Sequence, residues 1–278
     1  MSDLGHQNDL AFGRGLTVRI ITIGGLFFLY IPIIILIIFS FNASRFSSQW
    51  GGFSLKWYVT MIQDDALWSA IRNTLIIAIS NAVLSTILGT LAALALSRHR
   101  YRFSGLYHKV LHMPIIIPDI VQAVSLLMLF AFFNFTLGLV SVILAHASFS
   151  ISFVALVVMA RLAGFDNRLE EAAMDLGANR WQVFQKVILP NIFPGILAGA
   201  LLAFTLSIDD FVITFFTTGV GSTTLPLKIY SMIKFGITPE INAISTLLVL
   251  FSIAAVSAIH FFEKNPKTGR KAHAKNIT

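Results

Sequence analysis

Long stretches without a charged side chain constrain this 278-residue chain more than any other feature of its sequence. Residues 20–44 and 73–97 contain no Asp, Glu, Lys or Arg, and residues 120–160 form a third and longer stretch. About 20 consecutive apolar residues allow an α-helix to cross a bilayer. Only 12% of the residues are charged, whereas soluble domains carry about 25%, and the mean hydropathy is +0.80. The chain is therefore predicted to be an all-α membrane protein.

Six transmembrane helices are predicted within one domain, residues 1–278. The stretch 120–160 is too long for a single helix, and Asn134, Thr136 and Gly138 break it near its middle. Extended back through the proline-rich residues before it, this stretch supplies the third and fourth spans. The six predicted spans cover residues about 20–42, 72–97, 110–133, 138–160, 191–216 and 240–262.

The distribution of Lys and Arg predicts that both termini lie in the cytoplasm. With the N-terminus inside, most of the 20 Lys and Arg residues fall in the predicted inner segments, in agreement with the positive-inside rule. This topology also explains the net charge of +7, so no nucleic-acid partner is predicted. The chain has no cysteine and no Walker A, H-E-x-x-H or assignable Ser/His/Asp pattern, so we predict neither a catalytic nor a metal site.

The predicted cytoplasmic segment between spans four and five, residues 166–190, is polar and yet carries a helical pattern. Asn167 and Asn179 are each followed three residues later by Glu or Gln, which is the spacing of a helix capping box. Gly177 is placed to end the first helix in a left-handed conformation, and Pro190 is expected to mark the boundary with span five. The charged residues in the first helix and just before it are Asp166, Arg168, Glu170, Glu171 and Asp175. Its apolar stripe consists of Leu169, Ala172, Ala173 and Leu176.

This pattern has two interpretations of equal weight. An amphipathic helix of this kind docks into a groove on a partner protein, or it lies on the membrane surface as a connector.

Three acidic residues within the predicted spans are candidates for a solute path. Asp119 lies in span three, and Asp209 and Asp210 lie in span five. Intramembrane carboxylates are costly and functional by default, and a path for cations needs acidic or aromatic groups. The alternative is a solvated residue near a span end, or a partner for a basic residue of a neighbouring subunit. Ser207 lies on the small and polar stripe of span five that leads to Asp210, and it is also predicted to line the solute path. His146 is predicted to be a hydrogen-bonded helix contact.

The segment Glu171–Pro190 resembles the EAA loop of ABC importer permeases. The residues Glu171-Ala172-Ala173, Gly177 and Leu189-Pro190 match the form E-A-A-x3-G-x9-I-x-L-P, in which Val187 replaces the usual isoleucine. The resemblance implies a type I ABC importer permease fold in which this loop is the coupling helix, seated in a cleft of the ATPase subunit. The residues that it assigns to coupling are Glu171, Ala172, Ala173, Asp175, Leu176, Gly177, Leu189 and Pro190.

Longer stretches resemble the permeases of spermidine/putrescine importers, and among these the second of the two permease types. The stretches are YIPIIILIIFSFNASRF, MPIIIPDIVQAVSLL and LSIDDFVITFF with the residues that follow. The resemblance implies a polyamine cargo, a place in the bacterial inner membrane, and a non-enzymatic subunit that binds no cofactor. It also implies three protein partners besides the membrane lipid. They are a dimer of ATPase subunits that use ATP and Mg, a second homologous permease, and a periplasmic solute-binding protein.

Two other functions stay open at this point. An ABC permease for another small solute would share the loop, and an ion-coupled secondary transporter would also use intramembrane acids. Six spans without an inverted repeat are few for a secondary transporter, and such a carrier does not need the loop Glu171–Pro190.

Overall fold

The computed structural model describes residues 4–45, 49–98, 104–166, 168–234 and 239–263. Within these ranges the regular structure is helical, apart from one isolated β-bridge between Asn42 and Phe53. A π-helical turn, Phe184–Ile188, joins α8 to α9. The α-helices are α1 (Leu4–Phe39), α2 (Lys56–Ile62), α3 (Asp65–Arg98), α4 (Ser104–Ile116), α5 (Asp119–Phe132), α6 (Leu139–Ala163), α7 (Arg168–Asp175), α8 (Arg180–Val183), α9 (Leu189–Asp209), α10 (Val212–Thr217), α11 (Leu225–Lys234) and α12 (Pro239–Glu263).

The chain divides into two compact units. The first unit is formed from Met1–Asp64 and Met232–Thr278, and the second from Asp65–Ser231. In the first unit, α12 packs against α1 and α2. Asn42 organises the turn after α1. Its side-chain amide donates to the backbone carbonyl of Gln49 at 2.7 Å, and its backbone carbonyl accepts from the indole N–H of Trp57 at 2.8 Å.

The core of the second unit is formed by α3, α6 and α9. Small residues at the contacts allow the helix backbones to approach closely, as in other helix pairs within membranes. Ala93, Val154 and Ala203 are completely buried where the three helices meet. Asn81 ties the same helices together, because its amide donates to the hydroxyl of Ser150 at 3.0 Å and to the carbonyl of Ala203 at 3.2 Å.

Gly89→Ala is expected to destabilise this core by about 1–3 kcal/mol, the usual cost of overpacking. A Cβ at Gly89 would lie 2.8 Å from Cβ of Val154 and 2.9 Å from the carbonyl oxygen of Ile151, so α3 and α6 would have to move apart. The thermal unfolding midpoint in detergent measures the effect. Gly105→Ala is the matched control, because no atom lies within 4 Å of its added Cβ; equal midpoints for the two variants would contradict the close packing.

Span three, predicted over residues about 110–133, is sharply bent within the described residues. Residues Gly105–Ile116 and Asp119–Phe132 form two helices that meet at an angle of 109°. Pro118 causes the break, because it has no N–H to donate to the preceding turn and its ring disfavours helical geometry at Ile117.

In the described ranges, four helices are long and apolar enough to cross a membrane, and five are if the bent pair forms one span. Six such helices, the predicted number, are not found there. In α12, the apolar stretch Pro239–Leu250 is shorter than a membrane span requires. The four helices are Thr17–Phe39, Asp65–Ser97, Leu139–Ala163 and Arg180–Asp209.

Candidate functional site

A cleft of about 460 Å³ in the second unit brings the three predicted acidic residues together. Its lining comes from α4, α5, α6, α9 and α10. Carboxylates and phenyl rings are both present, and both attract cations. The acidic lining residues are Asp119, Asp209 and Asp210, and the aromatic ones are Phe149, Phe153 and Phe211.

Both interruptions of helical structure in the predicted spans occur at this cleft. Asp119 opens α5 directly after the 109° bend, and Asp209 is the last residue of α9. Asp210 then adopts an extended conformation, with ψ of 124°, before the chain resumes a helix at Val212. Irregular backbone at membrane depth is tolerated where it is buried in protein or lines a cavity. Span five, predicted as one helix over 191–216, is therefore interrupted, and the interruption presents the acids to the cleft.

The carboxylate of Asp210 caps α10. Its Oδ2 accepts a hydrogen bond from the backbone N–H of Thr214 at 2.8 Å and another from the Thr214 hydroxyl at 2.9 Å. The second oxygen, Oδ1, has one long contact of 3.4 Å with the backbone N–H of Ile213. The side chain keeps 11% of its surface exposed.

His146 on α6 is the buried neighbour of Asp210. Its Nε2 lies 3.2 Å from Oδ2 of Asp210 and 2.9 Å from the hydroxyl of Thr214, and its Nδ1 lies 2.7 Å from the hydroxyl of Ser207. The prediction of a hydrogen-bonded helix contact is confirmed. Ser207 was assigned to the solute path, but it is buried against His146 and is absent from the cleft lining among the described residues.

The other two acids are exposed and available. Asp119 and Asp209 are both exposed, and within the described ranges neither carboxylate has a hydrogen bond or an ion pair. A carboxylate with free lone pairs is ready to accept hydrogen bonds from an ammonium group. Sequence reasoning identified these residues but not the aromatic ones beside them. The signal for Phe153 and Phe211 is weak, because the chain has 25 Phe residues and nothing in the sequence distinguishes these two.

The segment between α6 and α9 forms the predicted helix, glycine turn and second helix. Gly177 follows α7 with φ of +88°, which is the left-handed conformation expected for a helix-ending glycine. The capping box of α8 is also present: Asn179 and Gln182 exchange side-chain to backbone hydrogen bonds of 2.9 Å in each direction. The predicted cap at Asn167 lies outside the described residues. Asp166 accepts a hydrogen bond from the backbone N–H of Arg168 at 3.0 Å.

The apolar stripe of α7 is divided between the interior and the surface. Ala173 packs on the small core of Val183, Ile188 and Ile192, whereas Leu176 is 89% exposed. The other exposed members and their neighbours are Leu169, Glu171, Ala172, Met174, Asp175 and Trp181. Large apolar side chains exposed together on a polar segment mark an interaction surface.

Pro190 lies in the first turn of α9, where the prediction placed the boundary with span five, but it does not end the preceding helical segment. The helix runs without interruption from Arg180 to Asp209, and Pro190 lies in its first turn after the π-helical turn. The backbone N–H of Leu189 donates to the carbonyl of Phe184, five residues earlier in the chain, as in a π-helix. This wider turn comes directly before Pro190, which has no N–H to donate. The part of the segment that follows the turn at Gly177 is therefore continuous with the helix that ends at Asp209.

Comparisons with known proteins identify the family to which this chain belongs. The family described as "Binding-protein-dependent transport system inner membrane component" matches residues 85–264. The spermidine/putrescine transport system permease protein PotC of Escherichia coli (strain K12) is 43% identical over 89% of this chain and 94% of its own length. The putrescine transport system permease protein PotI of the same strain is 42% identical over 92% and 93%.

Solved structures share the fold at low sequence identity. A chain of a bacterial ABC transporter involved in the import of the acidic polysaccharide alginate matches with a TM-score of 0.72 and 16% identity, over 92% of this chain and 97% of the other. An amino acid ABC transporter crystallised with histidines matches with a TM-score of 0.57 and 17% identity, over 74% and 97%. The chain belongs to the inner membrane components of binding-protein-dependent transport systems, and within them to the permeases of the spermidine/putrescine type.

Proposed function

We propose that this chain is a permease subunit of an ATP-driven importer and that it forms one side of a path for polyamines. The observation that carries the proposal is the cleft in which Asp119, Asp209 and Asp210 meet three phenyl rings. The relatives named for spermidine and putrescine transport support the same cargo.

The chemistry of the cleft fits a flexible polycation. Spermidine and putrescine carry ammonium groups separated by short methylene chains, and such groups are bound by carboxylates and by the faces of aromatic rings. Asp119 and Asp209 have unoccupied carboxylates at the two helix interruptions, and Phe211 follows the second one. A cargo with several charges needs several such groups along its length. An anionic solute would be repelled here, and a neutral solute would leave the acids without partners.

The topology that we propose has six spans with both termini in the cytoplasm. The bent pair α4 and α5 takes the place of span three, and α12 supplies span six. A second homologous permease would complete the path on the other side of the cleft. A solute-binding protein would deliver polyamine from the periplasm.

We further propose that α7 docks on the ATPase subunit. The exposed side chains of Leu169 and Leu176 are of the kind that insert into a groove on a partner, with Glu171 beside them. ATP and Mg would be used by the ATPase dimer, and this chain would hold no cofactor of its own. The uninterrupted helix Arg180–Asp209 supports this mechanism, because it joins the docking segment to the acids of the cleft.

The experiment that tests the cargo measures uptake by the complete importer, expressed with its partner subunits in cells that lack other polyamine uptake. Labelled spermidine and putrescine should enter saturably and compete with each other, and uptake should stop when ATP is depleted. An importer for another small solute would instead transport a neutral or anionic solute that polyamines do not displace. Uptake that follows an ion gradient without ATP would indicate a secondary transporter.

Asp209→Asn is expected to raise the KM for spermidine about three- to tenfold, because it removes one exposed charge from the cleft. The expected rise in KM is modest because the carboxylate is exposed to solvent, so the substitution removes only a screened electrostatic attraction. Initial uptake rates over a range of spermidine concentrations measure it. Asp65→Asn, an exposed acid in the first turn of α3 that does not line the cleft, should leave the KM unchanged. A parallel effect of both variants would mean a general surface charge effect and not a site.

A further inference from the structure

The buried imidazole of His146 has contacts that a packing role alone does not require. It is completely buried, and it reaches three polar groups on both sides of the interruption in span five. Ser207 belongs to α9 before the interruption, Thr214 belongs to α10 after it, and Asp210 lies at the interruption itself. His146 is therefore a link from α6 to both halves of the interrupted helix.

The hydrogens of this cluster can be assigned by counting donors and acceptors. Thr214 has a single hydroxyl hydrogen, and it donates that hydrogen to Oδ2 of Asp210. Its oxygen must then accept from His146, so Nε2 carries a hydrogen, and this N–H also lies near Oδ2. In the neutral ring Nδ1 is an acceptor, and the hydroxyl of Ser207 donates to it. Every donor in the cluster has an acceptor in this arrangement, and the contact of Nε2 with Oδ2 is the same if Nδ1 also carries a hydrogen and donates to Ser207.

The two oxygens of Asp210 are consequently unequal. Oδ2 is occupied by the backbone N–H and hydroxyl of Thr214 and by Nε2 of His146, whereas Oδ1 has only the 3.4 Å contact with Ile213. A carboxylate oxygen with a weak, long contact keeps its capacity to accept from a cargo ammonium.

We propose that His146 is a positioning residue for polyamine binding: it holds Oδ2 of Asp210 and so directs Oδ1 to the cargo. The inference rests on the proposed function, because it assumes that Asp210 contacts the polyamine. His146 itself does not touch the cargo, and its effect passes through Asp210. Preorganisation of this kind lowers the cost of ordering a binding group when the ligand arrives.

The test is a set of spermidine uptake measurements on the complete importer with single and double variants. His146→Leu removes both hydrogen bonds and is expected to raise the KM for spermidine about tenfold, in line with the loss of one charge-assisted hydrogen bond. The maximal rate per folded transporter should change little. His146→Gln offers a donor and an acceptor and should restore part of the affinity.

The double variant separates positioning from a merely structural role. If His146 acts through Asp210, then His146→Leu should change the KM less than about twofold in the Asp210→Asn background, because coupled residues are not additive. Ser150→Ala is the matched control, since Ser150 is a buried polar residue on the same helix that bonds to Asn81 and not to the acids. It should leave the KM unchanged in both backgrounds.

The outcomes distinguish this inference from the proposed function. Multiplicative effects of the His146 and Asp210 substitutions, or a wild-type KM for both His146 variants, would overturn the positioning role while the polyamine cleft stands. A wild-type KM for Asp210→Asn would remove Asp210 from the path and overturn the positioning role with it, while the uptake of labelled spermidine and putrescine would still decide the cargo. If His146→Leu does not accumulate in the membrane, His146→Met, which also removes the polar contacts, takes its place with and without Asp210→Asn.

Discussion

Replacing Asp210 with asparagine is expected to lower spermidine uptake at limiting concentration about ten- to a hundredfold. The substitution removes the negative charge at a largely buried position, where a hydrogen bond from an ammonium group contributes about 1.5–3 kcal/mol. Asparagine keeps one oxygen that can accept from the backbone N–H of Thr214, so the cap of α10 and the fold should survive. Uptake is measured as initial rate against spermidine concentration and divided by the amount of importer in the membrane.

The same assay contains its control. Asp65→Asn removes an equal charge from the same unit without touching the cleft, and it should transport like wild type. A ten- to hundredfold loss in Asp210→Asn that disappears after correction for membrane abundance would indicate a folding defect. Wild-type transport by Asp210→Asn would remove this residue from the path.

Replacing Gly177 with valine is expected to abolish uptake while the importer still assembles in the membrane. Gly177 has φ of +88°, and a residue with a Cβ costs about 1–2 kcal/mol in a left-handed conformation, with β-branched residues at a further disadvantage. No atom lies within 4 Å of an added Cβ, so the effect comes from the backbone and not from a clash. The turn between α7 and α8 would relax and carry the exposed face around Leu176 out of place. The measurement is ATP hydrolysis and spermidine uptake in the same proteoliposomes, where hydrolysis should persist without transport.

Gly177→Asn is the graded control for this prediction. Asparagine adopts the left-handed conformation more readily than other residues with a Cβ, so it should retain a substantial part of the coupling. Valine and asparagine variants that lose uptake equally would argue that the cause is not the backbone conformation. Normal coupling in Gly177→Val would contradict the assignment of α7 as the docking helix.

The segment between α6 and α9 could be predicted from sequence because its structure depends on neighbouring residues. A capping box spans three positions, and a left-handed glycine needs only its own backbone, so Asn179 and Gly177 carry their signals locally. The π-helical turn before Pro190 could not be predicted. A proline after an amphipathic helix ordinarily indicates a boundary, and the core of Val183, Ile188 and Ile192 determines instead that the helix continues.

The acidic residues of the cleft could be identified from sequence, but it could not be predicted that they line the same cleft. Carboxylates are rare in apolar spans, so Asp119, Asp209 and Asp210 are conspicuous in the chain. Their common cleft depends on the bend at Pro118, and a proline inside an apolar run is compatible with a kink as well as with a break. The hydrogen bond between His146 and Ser207 could not be predicted either, because it joins two helices that are distant in the chain.

A structure of the complete importer with spermidine bound tests the central claim most directly. We predict that ammonium nitrogens of the polyamine lie within about 4 Å of the carboxylates of Asp119, Asp209 and Asp210, with Oδ1 of Asp210 as the contacting oxygen and Oδ2 still held by His146. The methylene chain should rest on the phenyl rings of the cleft. Spermidine bound elsewhere in the path, with none of the three carboxylates in contact with it, would contradict the account.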